Sequence, residues 1–439
     1  MPASPPWTGR TLHFVGVGGA GMSGLALVAR ELGATVSGSD RAESPYTARL
    51  RQAGVEPVLG DHAAHVPAGA ELVVSSAIPP ESPERAAARE RGLTELHRAD
   101  LLAELTALRR CIAVTGTHGK TTTASMVVHV LRRCGLDPGY VVGAELRDTG
   151  ANAAWGTGEW LVVEADESDR SLLKLHPDIA VLTNAELDHH STYASQAELE
   201  DTFRAFLARA AEAVVWARPR LLALRDGPLV PYDAPAPELD PGGSRFSWRG
   251  HEVRLGVPGA HNAVNASGAL EACRLAGADP VHAALALADF AGAARRFEPL
   301  GATATGATLY DDYAHHPTEV AATLAAARTL RAARLHAVFQ PHLYSRTAAL
   351  AREFGAALAA ADRVVVLQVY PARERPEDFP GVDGRLVAAA AADAAAGRPV
   401  AWLPRFGDAE PYLRRTLRPG DLCVLLGAGN VDELGRRLL

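Results

Sequence analysis

The chain has 439 residues, of which 48% are hydrophobic and 22% are charged, with a formal net charge of −7. Its length exceeds what one hydrophobic core supports and predicts about three domains, while its negative charge argues against general nucleic-acid affinity. Its four cysteines lack metal-ligand or redox spacing, which is typical of a reducing compartment. No signal-peptide pattern opens the chain, and no uncharged apolar run reaches about 18 residues. We therefore expect a cytoplasmic protein without a membrane span.

The first predicted block begins with a strand and a glycine-rich turn. An apolar strand at residues 12–17 runs into Gly16-Val17-Gly18-Gly19-Ala20-Gly21, and a helix follows. Asp40 lies about 20 residues further on, where a ribose-binding acid is expected. The pattern predicts a pyrophosphate site at a helix N-terminus. Both the dinucleotide of a dehydrogenase and the diphosphate of another nucleotide would satisfy it.

The second predicted block opens with a phosphate-binding motif. Residues 115–123 read Thr-Gly-Thr-His-Gly-Lys-Thr-Thr-Thr between a predicted strand and a predicted helix. Lys120 is one of only two lysines in a chain that otherwise uses arginine. Its compact ammonium suits a loop of backbone N–H groups around polyphosphate. Val114 stands where the general pattern has glycine, so an ordinary glycine-rich turn is the alternative.

Polar residues follow two further strands of this block. Glu164 ends one strand and is placed to hold Mg²⁺ together with the P-loop hydroxyl of Thr121, unless the segment is an acidic surface loop. Asp188-His189-His190 follows the next strand, although adjacent histidines are also common in polar loops. Because the carboxyl ends of parallel strands form the ligand-binding edge, we expect these groups near the phosphate site.

Two asparagines and an arginine mark the end of this block. Asn262 and Asn265 lie one turn apart on a predicted helix, although Asn262 is also a candidate N-cap. Arg296 lies at the next domain junction, where it would contact a γ-phosphate or form an inter-domain salt bridge. The polar, Pro-rich stretch 218–243 predicts a loop-rich insertion.

The third predicted block again alternates strands and helices, which indicates a doubly wound sheet. Segments 311–319 and 340–346 follow strands, and each brings histidine, tyrosine and charged side chains to the predicted ligand edge. Arg346 is suited to pair a carboxylate through two hydrogen bonds. The sequence therefore predicts an α/β protein of three domains, with boundaries at 1–105, 106–295 and 296–439.

Taken together, these segments resemble the Mur ligases. The resemblance spans nearly the whole chain in family order and is carried by residues 16–24, 115–123, 164–169, 183–189, 261–265, 295–297, 311–320 and 339–347. The family also lacks glycine at the position of Val114, which removes the mismatch in the P-loop.

The resemblance implies a Rossmann-like N-terminal domain for a UDP-sugar, a central P-loop ATPase-like domain with a mainly parallel sheet, and a C-terminal Rossmann-like domain for an amino acid. It implies an enzyme of peptidoglycan synthesis that uses ATP and Mg²⁺, with two ions during turnover. The implied reaction joins the lactyl carboxylate of UDP-N-acetylmuramate to L-alanine through an acyl phosphate. Whether the enzyme is a monomer or a homodimer stays open.

The resemblance also implies roles for individual residues. The implied catalytic residues are Lys120, His189, Arg296 and Asp312. The implied ATP-binding residues are Gly116, Thr117, His118, Gly119, Lys120, Thr121, Thr122, Asn262, Asn265 and Arg296, and the implied metal ligands are Thr121, Glu164 and His189. The implied UDP-sugar site comprises Gly18, Gly19, Ala20, Gly21, Met22, Ser23, Asp40 and Ser76. The implied amino-acid site comprises Tyr313, His315, His342, Tyr344 and Arg346.

Two positions depart from the family pattern, and one helps to separate rival functions. Ser191 stands where the family often has an acid, and Leu343 where some members have arginine, which weakens a two-arginine clamp on the amino acid. A relative that adds a tripeptide to the same sugar tends to carry an aromatic residue at the position of Ser168, so Ser168 favours addition of a single amino acid. An NAD-dependent dehydrogenase with an accessory domain would show no ATP turnover, and a non-enzymatic nucleotide-binding regulator would have lost Lys120 or Glu164.

Overall fold

A computed structural model describes residues 5–60, 63–189 and 192–439. The chain forms two compact units, one comprising the residues through Asp233 together with Asn265–Ala286, the other comprising Ala234–Val264 and Leu287–Leu439. His190 and Ser191, both singled out from the sequence, lie outside the described residues.

The first unit begins with a five-stranded parallel sheet in the order β3-β2-β1-β4-β5. Its strands are β1 Thr11–Val15, β2 Thr35–Asp40, β3 Pro57–Leu59, β4 Glu71–Val74 and β5 Glu95–His97. Its helices are α1 Ala20–Glu31, α2 Pro45–Gln52, α3 Pro83–Glu90 and α4 Arg98–Leu108. The strand order reverses direction at β1, and ligands bind beyond the carboxyl ends of strands at such a switch point. The glycine-rich turn follows β1 at this place.

The second sheet of this unit has seven strands in the order β12-β11-β10-β6-β9-β7-β8, and only β8 runs antiparallel to its neighbour. Its strands are β6 Arg110–Thr115, β7 Gly139–Leu146, β8 Ala151–Ala154, β9 Trp160–Glu164, β10 Ile179–Leu182, β11 Glu212–Trp216 and β12 Leu229–Tyr232. The associated helices are α5 Lys120–Arg133, α6 Gln196–Leu207, α7 Pro219–Leu222, α9 Pro280–Ala286 and the part of α8 Ala260–Leu275 that begins at Asn265. Because β6 lies between β9 and β10, the carboxyl ends of all three strands are side by side.

The prediction that residues 218–243 form a loop-rich insertion is wrong in part. This stretch contains α7 and β12, and β12 extends the parallel sheet by pairing with β11. Pro231 lies within β12 and is tolerated because β12 is an edge strand, where one face of the backbone needs no ladder hydrogen bond.

The two sheets of the first unit share one hydrophobic core. Helix α1 packs on β7 and β8, and a Cβ on Gly24 would lie 3.0 Å from the Cβ of Ala153. The side chain of Asn152, on β8, donates a hydrogen bond of 2.6 Å to the carbonyl oxygen of Ala20, at the start of α1. The glycine-rich turn is therefore fixed against the second sheet as well as the first.

The second unit contains a three-stranded antiparallel sheet and a six-stranded sheet. The small sheet comprises β13 Glu238–Asp240, β14 Gly243–Trp248 and β15 His251–Leu255. The large sheet has the order β16-β17-β21-β18-β19-β20, and only β16 is antiparallel to its neighbour. Its strands are β16 Glu298–Ala302, β17 Thr308–Asp312, β18 Leu335–Phe339, β19 Arg363–Val366, β20 Val400–Trp402 and β21 Leu422–Leu426. Its helices are α10 Pro317–Thr329, α11 Tyr344–Leu358, α12 Gly384–Ala394, α13 Phe406–Thr416 and α14 Val431–Leu438.

These mainly parallel sheets, with hydrophobic clusters on both faces of the large sheet in the second unit, confirm the predicted α/β class. The exact domain boundaries after residues 105 and 295 stay predictions. Within the described part of the chain, no helix is both long enough and apolar enough to cross a membrane.

Candidate active site

The predicted strand–loop–helix arrangement of the P-loop is confirmed. The loop follows β6, and Lys120 is the first residue of α5. Gly116 has φ +127° and Gly119 has φ +79°, a backbone conformation that side chains with a Cβ rarely adopt. A Cβ on Gly116 would also collide with the hydroxyl of Thr183. Both glycines are therefore required by the shape of the loop.

The segment after β10 holds the P-loop in place. The hydroxyl of Thr183 donates a hydrogen bond of 2.6 Å to the carbonyl of His118, whose own N–H donates to Asn184 Oδ1 at 2.9 Å. Thr117 Oγ1 donates to the carbonyl of Glu186 at 2.7 Å, and a Glu186 carboxylate oxygen lies 3.0 Å from His118 Nε2. Thr183, Asn184 and Glu186 belong to a motif that carries the family resemblance, but sequence reasoning gave these three residues no role of their own.

Lys120 pairs with a carboxylate that sequence reasoning did not assign to the site. Its Nζ lies 2.8 Å from Glu167 Oε2 and donates a hydrogen bond of 2.7 Å to the carbonyl of Gly116. The Glu167 side chain is only 1% exposed. Burial alone would lower the pKa of the Lys120 ammonium, but the carboxylates of Glu167 and Asp166 raise it. The lysine therefore carries a positive charge at the phosphate-binding loop.

The predicted metal ligands lie around this lysine. Thr121 Oγ1 donates a hydrogen bond of 2.7 Å to Glu164 Oε1, and the other carboxylate oxygen of Glu164 accepts from the N–H of Gly143. His189 Nε2 lies 3.5 Å from Glu167 Oε1. Hydroxyl and carboxylate oxygens are the donors that Mg²⁺ prefers, so this set fits the predicted ion.

The glycine-rich turn is held by Asp40. The N–H of Gly18 donates to Asp40 Oδ2 at 2.8 Å, and Ser44 Oγ donates to the Gly18 carbonyl at 3.0 Å. Helix α1 then starts at Ala20 and leaves the N–H groups of its first turn available for an anion. Asp40 thus has an observed role in shaping the turn. Its contact with the UDP-sugar stays a prediction. The contact predicted for Ser76, an exposed residue after β4, also stays a prediction.

The two asparagines of α8 have distinct surroundings. The helix begins at Ala260, so Asn262 is not its N-cap, and Asn262 Nδ2 donates instead to the carbonyl of Pro258 at 2.8 Å. Asn265 belongs to the first unit, where its Oδ1 lies 2.8 Å from the point that a Cβ on Gly119 would occupy. The structure therefore places Asn265 against the P-loop.

Neighbouring arginines in the second unit differ in their surroundings. Arg295 Nε lies 2.9 Å from Asp311 Oδ2, and its other nitrogens donate to the carbonyls of Gly427 and Gly429. Both guanidinium groups lie over the ring of Tyr313, that of Arg295 at 5.1 Å from its centroid and that of Arg296 at 5.0 Å. Arg295 therefore has a structural role in the sheet, and Arg296 is the better candidate for contact with a phosphoryl group.

Burial raises the pKa of Asp312 to about 6, although the Arg296 guanidinium acts in the opposite direction. The Asp312 carboxylate accepts hydrogen bonds of 2.8 Å from the N–H groups of Phe297 and Ala314. These bonds fix the backbone at Phe297, which follows Arg296, and at Ala314, which follows Tyr313.

This pKa predicts how stability depends on pH. An unfolded aspartate titrates near pH 4, so between about pH 4 and pH 6 the folded chain binds more protons at Asp312 than the unfolded chain does. The contribution of this group to stability is complete below that range and is lost as the pH rises through about 6. Relative to Asp312→Asn, the wild type should lose roughly 2 kcal/mol of unfolding free energy between about pH 4 and pH 7. Denaturant titrations of both proteins across this pH range test the prediction. A difference in unfolding free energy between the two proteins that does not vary with pH would contradict it.

Four of the predicted amino-acid-binding residues form one cluster in the second unit. The rings of Tyr313 and His315 meet edge to face at 5.3 Å between centroids, and His315 lies 6.0 Å from His342. Arg346 Nη1 lies 3.3 Å from His342 Nδ1. Tyr370, which was not among the residues predicted from the sequence, stacks on His342 with 5.8 Å between ring centroids.

The segments around this cluster are fixed by one residue with an unusual backbone conformation and by contacts between distant parts of the chain. Leu343 has φ +69° at the start of α11, directly after His342. Glu374 accepts a hydrogen bond of 3.0 Å from the N–H of Ser345, so a residue from a distant loop caps this helix. Tyr344 packs instead against Phe379, with 6.0 Å between ring centroids, and its predicted contact with the amino acid stays a prediction.

Three family models match successive parts of the chain. They are described as Mur ligase family, catalytic domain, over residues 11–110, Mur ligase middle domain, over 114–223, and Mur ligase, glutamate ligase domain, over 295–429. Together with the P-loop, the glycine-rich turn and the histidine–arginine cluster, these matches show that the chain belongs to the Mur ligase family.

Within that family, the chain is similar to enzymes named UDP-N-acetylmuramate–L-alanine ligase. The relative from Rubrobacter xylanophilus is 44% identical, covering 98% of this chain and 99% of its own. The relative from Acidothermus cellulolyticus is 45% identical, covering 96% and 92%. Among solved structures, UDP-N-acetylmuramate–alanine ligase from Thermotoga maritima matches with a TM-score of 0.84 and 26% identity over 98% of both chains. A murein peptide ligase from Psychrobacter arcticus gives a TM-score of 0.73 with 25% identity over the same shares.

Proposed function

We propose that this enzyme joins L-alanine to the lactyl carboxylate of UDP-N-acetylmuramate in peptidoglycan synthesis. The products are UDP-N-acetylmuramoyl-L-alanine, ADP and phosphate. The observation that carries the proposal is the charged Lys120 of the P-loop, paired with a buried glutamate beside Thr121 and Glu164, in a member of the Mur ligase family. Because the reaction consumes ATP and a UDP-sugar, we place the enzyme in the cytoplasm.

The chemistry explains why such a site needs cations. A carboxylate does not acylate an amine, since oxide is a poor leaving group. Transfer of the γ-phosphoryl group to the carboxylate oxygen gives an acyl phosphate, from which the alanine nitrogen displaces phosphate through a tetrahedral intermediate. Two anions must approach each other in the first step, so positive charge lowers its barrier. Lys120 supplies that charge at the β- and γ-phosphates, and Arg296 supplies it at the transferring group.

The residues around Lys120 would also hold Mg²⁺. Thr121 and Glu164 would bind one ion through oxygen, and His189 would bind a second. When bound, these ions neutralise phosphate and carboxylate charge during phosphoryl transfer. The N–H of Gly143 orients the Glu164 carboxylate toward Thr121.

The cluster in the second unit would bind alanine. Arg346 is 4% exposed, and a buried guanidinium is suited to a carboxylate, which accepts two parallel hydrogen bonds. The rings of Tyr313, His315 and His342 would enclose the small side chain. Leu343 offers no second cation, so carboxylate binding depends on Arg346 alone among the predicted amino-acid ligands.

Arg346→Ala should raise the KM for alanine by at least about tenfold, because a charge-assisted pair of hydrogen bonds is lost. The affinity for ATP should be retained, since Arg346 lies in the proposed amino-acid site. Initial rates over a range of alanine concentrations measure the effect. Arg352→Ala, an exposed arginine on the same helix, is the matched control. An unchanged alanine KM in Arg346→Ala would remove this residue from the amino-acid site.

A phosphate-release assay with ATP, Mg²⁺ and UDP-N-acetylmuramate tests the proposed reaction. The acceptor is L-alanine, L-serine, glycine or the peptide L-alanyl-γ-D-glutamyl-meso-diaminopimelate in turn. We expect the highest kcat/KM with L-alanine. Preference for the peptide would instead assign the chain to murein peptide ligation, and phosphate release independent of any acceptor would refute the ligase reaction.

A further inference from the structure

Arg98 lies at the carboxyl edge of the first sheet, outside the set of residues predicted from the sequence. It is the first residue of α4, directly after β5. The first turn of this helix is fixed locally, because the N–H of His97 donates to Asp100 Oδ2 at 3.2 Å and the N–H of Ala99 donates to His97 Nδ1 at 3.2 Å. Lys174, the second of the two lysines, lies 2.5 Å from Asp100 Oδ1 and ties this turn to the segment that follows β9. The position of Arg98 is therefore set from both sheets of the first unit.

The side chain of Arg98 lies between the glycine-rich turn and the acidic segment beside the P-loop. A Cβ on Gly21 would be 3.6 Å from Arg98 Cδ and 3.7 Å from its Nη1. On the other side, Arg98 Nη2 is 3.7 Å from Asp166 Oδ2. Asp166 directly precedes Glu167, the partner of Lys120. One guanidinium thus approaches both places at which this unit is expected to hold substrate oxyanions.

The Arg98 guanidinium has few hydrogen-bond partners in the structure. Among the residues that the structure describes, its N–H groups donate no hydrogen bond, and 3.7 Å to Asp166 is too long for one. The Asp166 carboxylate instead accepts from the N–H of Ser168 at 2.9 Å. By contrast, the guanidinium groups of Arg10 and Arg85 each donate two hydrogen bonds to a glutamate. The Arg98 side chain is 19% exposed, so the guanidinium is partly accessible to a ligand.

We propose that Arg98 binds an oxyanion of the sugar-nucleotide substrate, at the passage between its diphosphate and its lactyl carboxylate. The proposal rests on the proposed function. A substrate whose diphosphate binds at the glycine-rich turn and whose carboxylate reaches the P-loop crosses the region that Arg98 occupies. The planar fork of the guanidinium matches either phosphate or carboxylate oxygens, and binding there draws the acceptor carboxylate toward the ATP site.

Isothermal titration calorimetry with UDP-N-acetylmuramate, UDP and a non-hydrolysable ATP analogue tests this role. We expect Arg98→Gln to weaken UDP-N-acetylmuramate binding by at least about tenfold and Arg98→Lys to weaken it less, while the affinity for the ATP analogue changes by less than about twofold. Arg110→Ala is the matched control, because Arg110 is an exposed arginine at the amino end of β6 and its loss should leave all three affinities unchanged. An equal loss for UDP assigns the contact to the diphosphate, and a loss confined to UDP-N-acetylmuramate assigns it to the carboxylate.

Two results would overturn the role of Arg98. One is an unchanged affinity of Arg98→Gln for UDP-N-acetylmuramate. The other is a parallel fall in affinity for the sugar nucleotide and the ATP analogue together with a lower melting temperature, which would show that Arg98 only maintains the fold. Failure of the proposed function has a different signature, since the wild-type enzyme would then either bind no UDP-N-acetylmuramate or prefer the peptide to L-alanine in the phosphate-release assay.

Discussion

Lys120→Ala should lose at least about 3 kcal/mol of transition-state stabilisation, a fall of more than about 100-fold in kcat/KM. The ammonium lies at the P-loop with a buried carboxylate as its partner, and removal of the lysine leaves that carboxylate beside the place where we propose that the γ-phosphate binds. Repulsion then adds to the loss of the cation. The effect should appear mainly in kcat, because phosphoryl transfer brings the anions together in the transition state.

Lys120→Arg separates charge from shape. The longer planar fork does not fit the carbonyl and carboxylate acceptors around the Lys120 ammonium, so we expect this variant to recover little activity. Arg133→Ala, an exposed cation in the last turn of the same helix, should behave as the wild type. Near-normal turnover of Lys120→Ala would refute the role of the P-loop lysine.

Glu164→Gln should reduce kcat/KM by roughly 100-fold and raise the Mg²⁺ concentration needed for half-maximal activity. Glutamine keeps the size of the side chain but removes the charge that a hard cation requires. It also places an amide nitrogen among groups that donate to Glu164, namely Thr121 and the N–H of Gly143.

The Mg²⁺ dependence of ATP-analogue binding measures this effect independently of turnover. Glu159→Gln, an exposed acid just before the same strand, serves as the control. If Glu164→Gln bound the ATP analogue with the same Mg²⁺ dependence as the wild type, Glu164 would not be a metal ligand.

Local motifs made the conformations of the glycine-rich turn and the P-loop predictable from sequence. A glycine with positive φ and the strand–turn–helix pattern are properties of a few adjacent residues, so Gly116, Gly119 and Lys120 were recognisable without the fold. Contacts between distant segments were not recognisable. Glu167 and Tyr370 are ordinary residues in the sequence, and only the fold brings one to Lys120 and the other to His342.

Adjacent residues of one type were also indistinguishable in the sequence. Arg295 and Phe297 have φ of +58° and +50°, so the chain turns sharply around Arg296. Both guanidinium groups lie over the ring of Tyr313, and Arg295 also pairs with Asp311. The prediction for residues 218–243 was wrong in part because their proline content suggested loops. An edge strand accepts proline, so Pro231 was compatible with β12.

The shared core beneath α1, β7 and β8 has a consequence for how the protein unfolds. The sequence suggests a boundary after residue 105, yet apolar residues on both sides of that position pack into one continuous cluster. A fragment that ended there would expose the face of α1 that covers β7 and β8, and the rest of the chain would lose the same cover. We therefore expect the glycine-rich turn and the P-loop to unfold together in one cooperative step.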